Sequence, residues 1–216
     1  MFGTWFAVVM PGIFGSIAGV PAPLPFLLAS ASPRRTELLA AAGLPHRVVV
    51  AAVTEHEDPA TDPAAMVLHN ARLKAAAVSR SHPSALVLGA DTTVALGDVS
   101  LNKPADLAES RAMLRRLSGR THTVHTGVCL LCPALGIDEA HDVTAWVRFR
   151  ALTEEDITRY QSLVDTLDKA GAYGIQQGRE IIIDAFEEPV STIMGLPVEF
   201  VKARLAALGV LERILA

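Results

Sequence analysis

The run Leu27-Leu28-Ala29-Ser30-Ala31-Ser32-Pro33-Arg34-Arg35-Thr36-Glu37-Leu38-Leu39 constrains this chain more than any other stretch. Apolar residues give way to a turn of small residues, and the turn to a helical pattern. Ser32 stands where it can cap that helix. Pro33 takes the first helical position, where a missing N–H costs nothing. Arg34 and Arg35 then fall in the first turn. A helix N-terminus already carries partial positive charge and free N–H groups, so cations are unfavourable there unless an anion joins them. Two readings stand side by side: a pair of solvated arginines, or a phosphate or carboxylate site.

Strand and helix signals alternate down the rest of the chain. Residues 24–29 read as a buried strand, 33–42 as a helix stopped by Gly43, and the β-branched run 47–53 as a second strand. Thr54-Glu55-His56-Glu57-Asp58-Pro59 is an acidic loop, either a solvated turn or a source of metal-binding oxygens. Residues 62–79 carry helical periodicity, with Asp62 as cap and Pro63 at the first position. Lys74, late in that helix, reads on its own as a surface residue favoured by the dipole. Residues 85–96 form an apolar strand interrupted by one acid. Gly89 and Ala90 leave room for another group to approach. A buried carboxylate is expensive unless paired, so Asp91 needs a cation, a metal or hydrogen bonds. That points to a catalytic or metal-linked role ahead of a turn cap.

Gly97-Asp98 is a hairpin-like turn. Residues 106–117 read as a helix, with Asp106 and Glu109 as its capping box. Residues 122–131 and 143–150 read as strands, the second with one wet face. Residues 153–160 form a helix boxed by Thr153 and Asp156. A turn-rich loop spans 171–178, Ile181-Ile182-Ile183 is a strand, and 197–208 is the closing helix. The order is that of a mixed α/β fold.

Composition removes several function classes. With 216 residues, 50% hydrophobic and 19% charged, the chain can bury a sizeable core and is not disordered. A net charge of −4 argues against a nucleic-acid binder, though a local cationic pocket can still take a small anion. Cys129 and Cys132 form a lone C-x-x-C without a second ligand pair, and read as buried structural thiols. No charged side chain precedes Arg34, and residues 1–20 are apolar. With no Lys or Arg ahead of them and Pro11, Pro21, Pro23 and Pro25 interrupting any spanning helix, we expect a disordered or misassigned leader over 1–23 on a soluble protein without a membrane partner. There is no P-loop, G-x-S-x-G elbow or H-E-x-x-H. Arg34, Arg35, Lys74, Lys103 and Lys169 supply cations, and Glu55 and Asp91 carboxylates. Gathered by the fold, they make a site for a polyanion with a divalent ion.

Seven motifs in order carry a resemblance: Ser30-Ala31-Ser32-Pro33-Arg34-Arg35, Ala71-Arg72-Leu73-Lys74-Ala75, Gly89-Ala90-Asp91-Thr92, Asn102-Lys103-Pro104, Leu117-Ser118-Gly119-Arg120-Thr121-His122, the run from Asp168-Lys169-Ala170 to Gly174-Ile175-Gln176, and Gly195-Leu196-Pro197. Over about residues 25–210 the chain resembles the Maf family of nucleoside triphosphate pyrophosphatases. The resemblance implies an α/β fold with an elongated, twisted mixed sheet, flanking helices and two lobes around a central cleft, as one two-lobed domain over 24–216 and usually as a homodimer. It implies cleavage between the α and β phosphates of a nucleotide, with a divalent metal, Mg²⁺ or Mn²⁺, in the cytoplasm. By position Asp91 matches the proton acceptor, and could also contact the metal. Ser32, Arg34, Arg35, Lys74 and Lys103 match the phosphate-binding set, and Glu55 an acidic metal contact. Arg34, Thr92 and Gln176 match positions that separate enzymes of dTTP and UTP from those of 7-methyl-GTP. A Gln amide can pair with a pyrimidine edge through both its donor and its acceptor.

The sequence departs from the family pattern at three places. Thr54 stands where Asp or Glu is usual, Gln177 follows Gln176 where Gly is usual, and residues 187–192 replace a Gly-Ser-Tyr-x-Asn-like segment. The reading is a pyrophosphatase that clears dTTP, UTP or modified pyrimidine nucleotides. The alternative is a non-catalytic nucleotide-binding regulator of septum formation, which would bind nucleotide without turnover. The altered Thr54 loop favours that alternative.

Overall fold

The computed structural model describes residues 22–216. The expected leader, up to residue 21, lies outside them. Strand β1 (Phe26–Ala29) is buried throughout and delivers the chain through a tight turn into helix α1 (Pro33–Ala41). The edge strand β2 (Arg47–Val48) runs parallel to β1. Helix α2 (Pro63–Ser79), capped by Asp62, carries the chain to β3 (Leu86–Leu96), also parallel to β1. Beyond β3 the sheet is antiparallel. β4 (Val99–Leu101) folds back on β3. β5 (Thr121–Cys132) and β6 (Ile137–Phe149) then extend the sheet as a long hairpin. β7 (Ile183–Phe186) ends it, giving seven strands in the order β2-β1-β3-β5-β6-β7 with β4 beside β3. The flanking helices are α3 (Leu107–Leu117), α4 (Glu154–Leu163), the single turns α5 (Arg179–Ile182) and α6 (Val190–Ile193), then α7 (Val198–Ala207) and α8 (Leu211–Leu215). This is the mixed α/β sheet with flanking helices that was expected.

Apolar side chains collect in separate clusters along that sheet. One joins Leu28, Leu39, Leu88, Leu130, Leu196 and Leu205, beneath α1, α7 and α8. A second joins Val94, Leu114, Val147, Phe149, Tyr160 and Ile182, beneath α3, α4 and α5. β3 runs through both. Leu86, Leu88 and Ala90 belong to the first and Val94 to the second. Asp91 and Thr92 therefore fall where the chain passes from one core to the other, at the edge of the space between them. Among the described residues no helix is long and apolar enough to cross a membrane. Cys129 and Cys132 are free and buried, and burial pushes the Cys129 thiol up to about 11.

Several local expectations are corrected. Only Arg47 and Val48 of the run 47–53 pair as a strand, because it lies at the sheet edge, where Val50 is exposed. Ile181 and Ile182 lie in α5 and pack into the second core, and the strand begins at Ile183, opposite Phe149. β6 begins at Ile137, six residues before the expected start at Val143. Its polar first half is held by Arg72 on Asp138, Arg204 on Glu139 and His125 on Asp142. The Thr153–Asp156 capping box forms as expected. Before α3 the box is displaced: Asp106 caps Glu109 N–H, while Glu109 accepts from Ala105 N–H instead of Asp106. Ser32 is the N-cap residue of α1 by position, yet its hydroxyl makes no capping bond and its own N–H donates to Ser30 Oγ.

Candidate functional site

α2 lies directly on the sheet because two strand positions lack a side chain. A Cβ at Gly89 would sit 2.1 Å from Ala71 O, and one at Gly127 would sit 2.3 Å from Val67 O. These glycines flank Asp91, Gly89 along β3 and Gly127 opposite it on β5. The close approach brings the polar face of α2 onto the carboxylate. Lys74 Nζ donates to Asp91 Oδ1 at 2.8 Å, and Asn70 Nδ2 to Oδ2 at 3.0 Å. Asp91 is 9% exposed and Lys74 8%. Lys74 is thus a buried counter-ion, not the surface lysine that its place late in a helix suggests on its own. Burial opposes ionisation of Asp91, but the Lys74 ammonium, the hydrogen bonds from Lys74 and Asn70 and the Arg35 charge outweigh it, so the carboxyl is held below its usual range.

The acidic loop meets the same ammonium. Glu55 Oε2 lies 2.6 Å from Lys74 Nζ. The next residue, His56, is held at both backbone groups by Asn70, its N–H donating to Oδ1 and its carbonyl accepting from Nδ2. Asn102 donates to Glu57 O, and Thr93 donates to Asn102. Glu55 and Asp91 therefore converge on one point, bridged by Lys74. Thr54, where the family pattern has an acid, contributes no contact of this kind.

The turn after β1 forms the opposite wall. Arg35 is buried, and its guanidinium is divided among several partners. Nε donates to Gly195 O, Nη1 to Ser30 Oγ and Ala90 O, and Nη2 to Thr92 Oγ1, all between 2.8 and 3.0 Å. It thereby fastens Asp91's neighbours, Ala90 by its carbonyl and Thr92 by its hydroxyl, to the turn at Gly195. Gly195, at φ +99, leaves Arg35 and Thr92 the room to meet there. Thr92 Oγ1 also lies 3.1 Å from Thr126 Oγ1. Arg34 points outward to Asp168, which Lys169 also contacts.

The nine residues that the family resemblance gives a role line one cleft of about 360 Å³: Ser32, Arg34, Arg35, Glu55, Lys74, Asp91, Thr92, Lys103 and Gln176. Asp168, Lys169, Tyr173 and Ile175 line its far side, together with Ile193 and Met194, which directly follow the altered 187–192 segment. Sequence reasoning assigned no role to Asn70, Ser30 or Asp168. Asn70 had a usable signal, being four residues before Lys74 on a helix and so on the same face. Tyr173 OH bonds His122 Nε2 at 2.8 Å beneath the cleft, and burial lowers the His122 imidazole to about 4, leaving it neutral. Such a cleft can hold a polyphosphate between cations while a fixed, ionised carboxylate faces it.

The chain is similar to proteins already known. The Maf-like protein family matches residues 25–208. A protein of Akkermansia muciniphila named dTTP/UTP pyrophosphatase is 46% identical over 185 residues, covering 86% of this chain and 97% of its own length. One of the same name from Deinococcus radiodurans is 47% identical over 187 residues, covering 85% of this chain and 93% of its own. A third, from Myxococcus xanthus, is 46% identical over 171 residues.

Proposed function

The chain belongs to the Maf-like protein family, and from that membership we propose that it hydrolyses nucleoside triphosphates, dTTP and UTP first among them, to the monophosphate and pyrophosphate in the cytoplasm. The observation that carries the reading is the Lys74–Asp91 pair, set inside a cleft rimmed by Arg34, Lys103 and Lys169. Its relatives' shared name favours turnover over a purely regulatory binding role.

In this reading the triphosphate lies along the cationic wall. Arg34, Lys103 and the N-terminus of α1 at Ser32 hold its charge. Asp91, kept ionised by Lys74, orients a water for attack on the α-phosphorus and takes its proton. The water oxygen bonds to the α-phosphorus, the bond from that phosphorus to the bridging oxygen breaks, and pyrophosphate leaves with the bridging oxygen and the electron pair. The cations stabilise the charge that develops on it. Gln176 and Thr92 face the nucleoside end, and the Gln176 amide reads a pyrimidine edge.

The donor set fits a divalent cation, Mg²⁺ or Mn²⁺. Glu55 and Asp91 already converge on one ammonium, and Mg²⁺ takes one or two carboxylates with substrate phosphates and water. Glu55 and Asp91 are the residues that would hold such an ion. Bound there, such an ion supplies Lewis-acid polarisation of the phosphate oxygens.

The test is pyrophosphate release from dTTP, UTP, CTP, GTP and 7-methyl-GTP with Mn²⁺ and with chelator. Metal-dependent release from dTTP and UTP supports the reading. Release from another base keeps the chemistry and discards the roles of Arg34, Thr92 and Gln176. Nucleotide binding without release moves the assignment to the regulator.

A further inference from the structure

Asn70 has no part in the chemistry above, yet its placement is too demanding for filler. It is 2% exposed, on a face of α2 that packs against the sheet. A buried amide is tolerated only when its donors and acceptor are matched. Here Nδ2 donates to Asp91 Oδ2 and to His56 O, and Oδ1 accepts His56 N–H. The amide cannot be turned over. The His56 N–H only donates and an ionised Asp91 only accepts, so Oδ1 must face the first and Nδ2 the second.

Asn70 and Lys74 stand one helical turn apart and take one oxygen each of the same carboxylate. A single contact would leave that carboxylate free to rotate, whereas two donors fix its plane. The pair of bonds to His56 acts on a second element. It holds the backbone of the residue next to Glu55, whose carboxylate then meets Lys74. One side chain thus sets both acids. We propose that Asn70 is a positioning residue of this site, fixing the plane of the Asp91 carboxylate and, through the His56 backbone, the place of Glu55 beside it. The part of this inference that concerns turnover rests on the proposed pyrophosphatase activity. The part that concerns the loop does not.

The experiment compares the parent chain with Asn70→Leu and Asn70→Asp by two readouts. The first is steady-state pyrophosphate release from dTTP with Mn²⁺. The second is hydrogen exchange at the His56 amide without nucleotide. Asn70→Leu removes every one of these bonds. Its kcat is expected to fall by roughly 10- to 100-fold, with KM for dTTP within about threefold and a higher Mn²⁺ midpoint, the pattern of lost orientation and not of lost substrate binding. Its His56 amide is expected to exchange at least about tenfold faster, while amides of β5 keep the parental rate. Asn70→Asp keeps the acceptor for His56 N–H but turns a carboxylate toward Asp91. Its kcat is expected to fall at least as far, with His56 exchange within about threefold of the parent's.

Parental kcat in either variant, or parental His56 exchange in Asn70→Leu, overturns the proposal, as does a loss confined to KM. Should Asn70→Leu not fold, Asn70→Asp decides alone: parental kcat, or His56 exchange as fast as in a peptide, overturns it. An inactive parent chain counts against the proposed function, and the exchange data still decide the clamp.

Discussion

Arg34 and Asp168, 134 positions apart in sequence, meet across the mouth of the cleft: Nη1 donates to Oδ2 at 2.8 Å and Nη2 to the backbone oxygen at 3.3 Å. Lys169 contacts the other carboxylate oxygen. One carboxylate thus occupies Arg34, a cation that the proposed reaction needs for phosphate, together with Lys169 at the rim of the cleft. A triphosphate reaching Arg34 has to share or displace it.

Asp168→Asn is accordingly expected to lower KM for dTTP by about threefold to tenfold, with kcat within about twofold. The half-exposed pair adds little stability, about 1 kcal/mol or less. Steady-state kinetics beside a urea melt check both parts. A raised KM would mean that Asp168 holds Arg34 ready for substrate instead of competing with it.

Lys74 is the counter-ion of two acids, with only about a tenth of its side chain exposed. Lys74→Met keeps much of the volume but leaves Asp91 buried without its cation. A loss of about 3 kcal/mol in unfolding free energy is expected from stranding that charge. Turnover should fall about 100-fold or more as both acid geometry and phosphate charge stabilisation go. Urea denaturation at neutral pH measures the first and pyrophosphate release the second.

His122 gives a pH signature. Its imidazole titrates near 6.5 in an unfolded chain, and burial against Phe149 and Tyr173 lowers it to about 4 in the folded one. Between those values the unfolded chain holds the proton and the folded chain does not, so stability rises with pH across the window. The contribution is fully present above about pH 6.5 and lost as pH falls to about 4, a span of about 3 kcal/mol. His122→Gln, which can still bond Tyr173 OH, should flatten the dependence of unfolding free energy on pH in that window relative to the parent. An unchanged slope would contradict the buried neutral imidazole.

Much of this was legible in the sequence because the informative residues carry local rules. The turn from Ser30 to Arg35, the lone acid in an apolar strand at Asp91 and the caps at Asp62 and Thr153 each state their structure within a few positions. Gly89 announced a close approach, and α2 makes it. What stayed hidden depends on partners far along the chain. The first half of β6 is rich in acids, with one histidine, and reads as a strand only once Arg72, Arg204 and His125 are beside it. Ile181 and Ile182 have strand composition, but the second core takes them from a helical turn. Arg35 reads as a phosphate ligand from its place in the first turn, while its bonds to Ala90, Thr92 and Gly195 show how far it is also engaged in joining strand to turn. Asn70 shares the helix face of Lys74 in the sequence, but its role required knowing that this face lies on Asp91.

The central claim is that Asp91 is the carboxylate that acts on water in a nucleotide pyrophosphatase. The most direct measurement is pyrophosphate release from dTTP by the parent chain and by Asp91→Asn, each with Mn²⁺, on proteins with matched thermal melts. The substitution keeps the shape and the hydrogen-bonding reach and removes the charge. The account predicts metal-dependent release by the parent and a loss of about 10²- to 10⁴-fold in kcat for Asp91→Asn. An Asp91→Asn protein that turns over dTTP at the parental rate would contradict it.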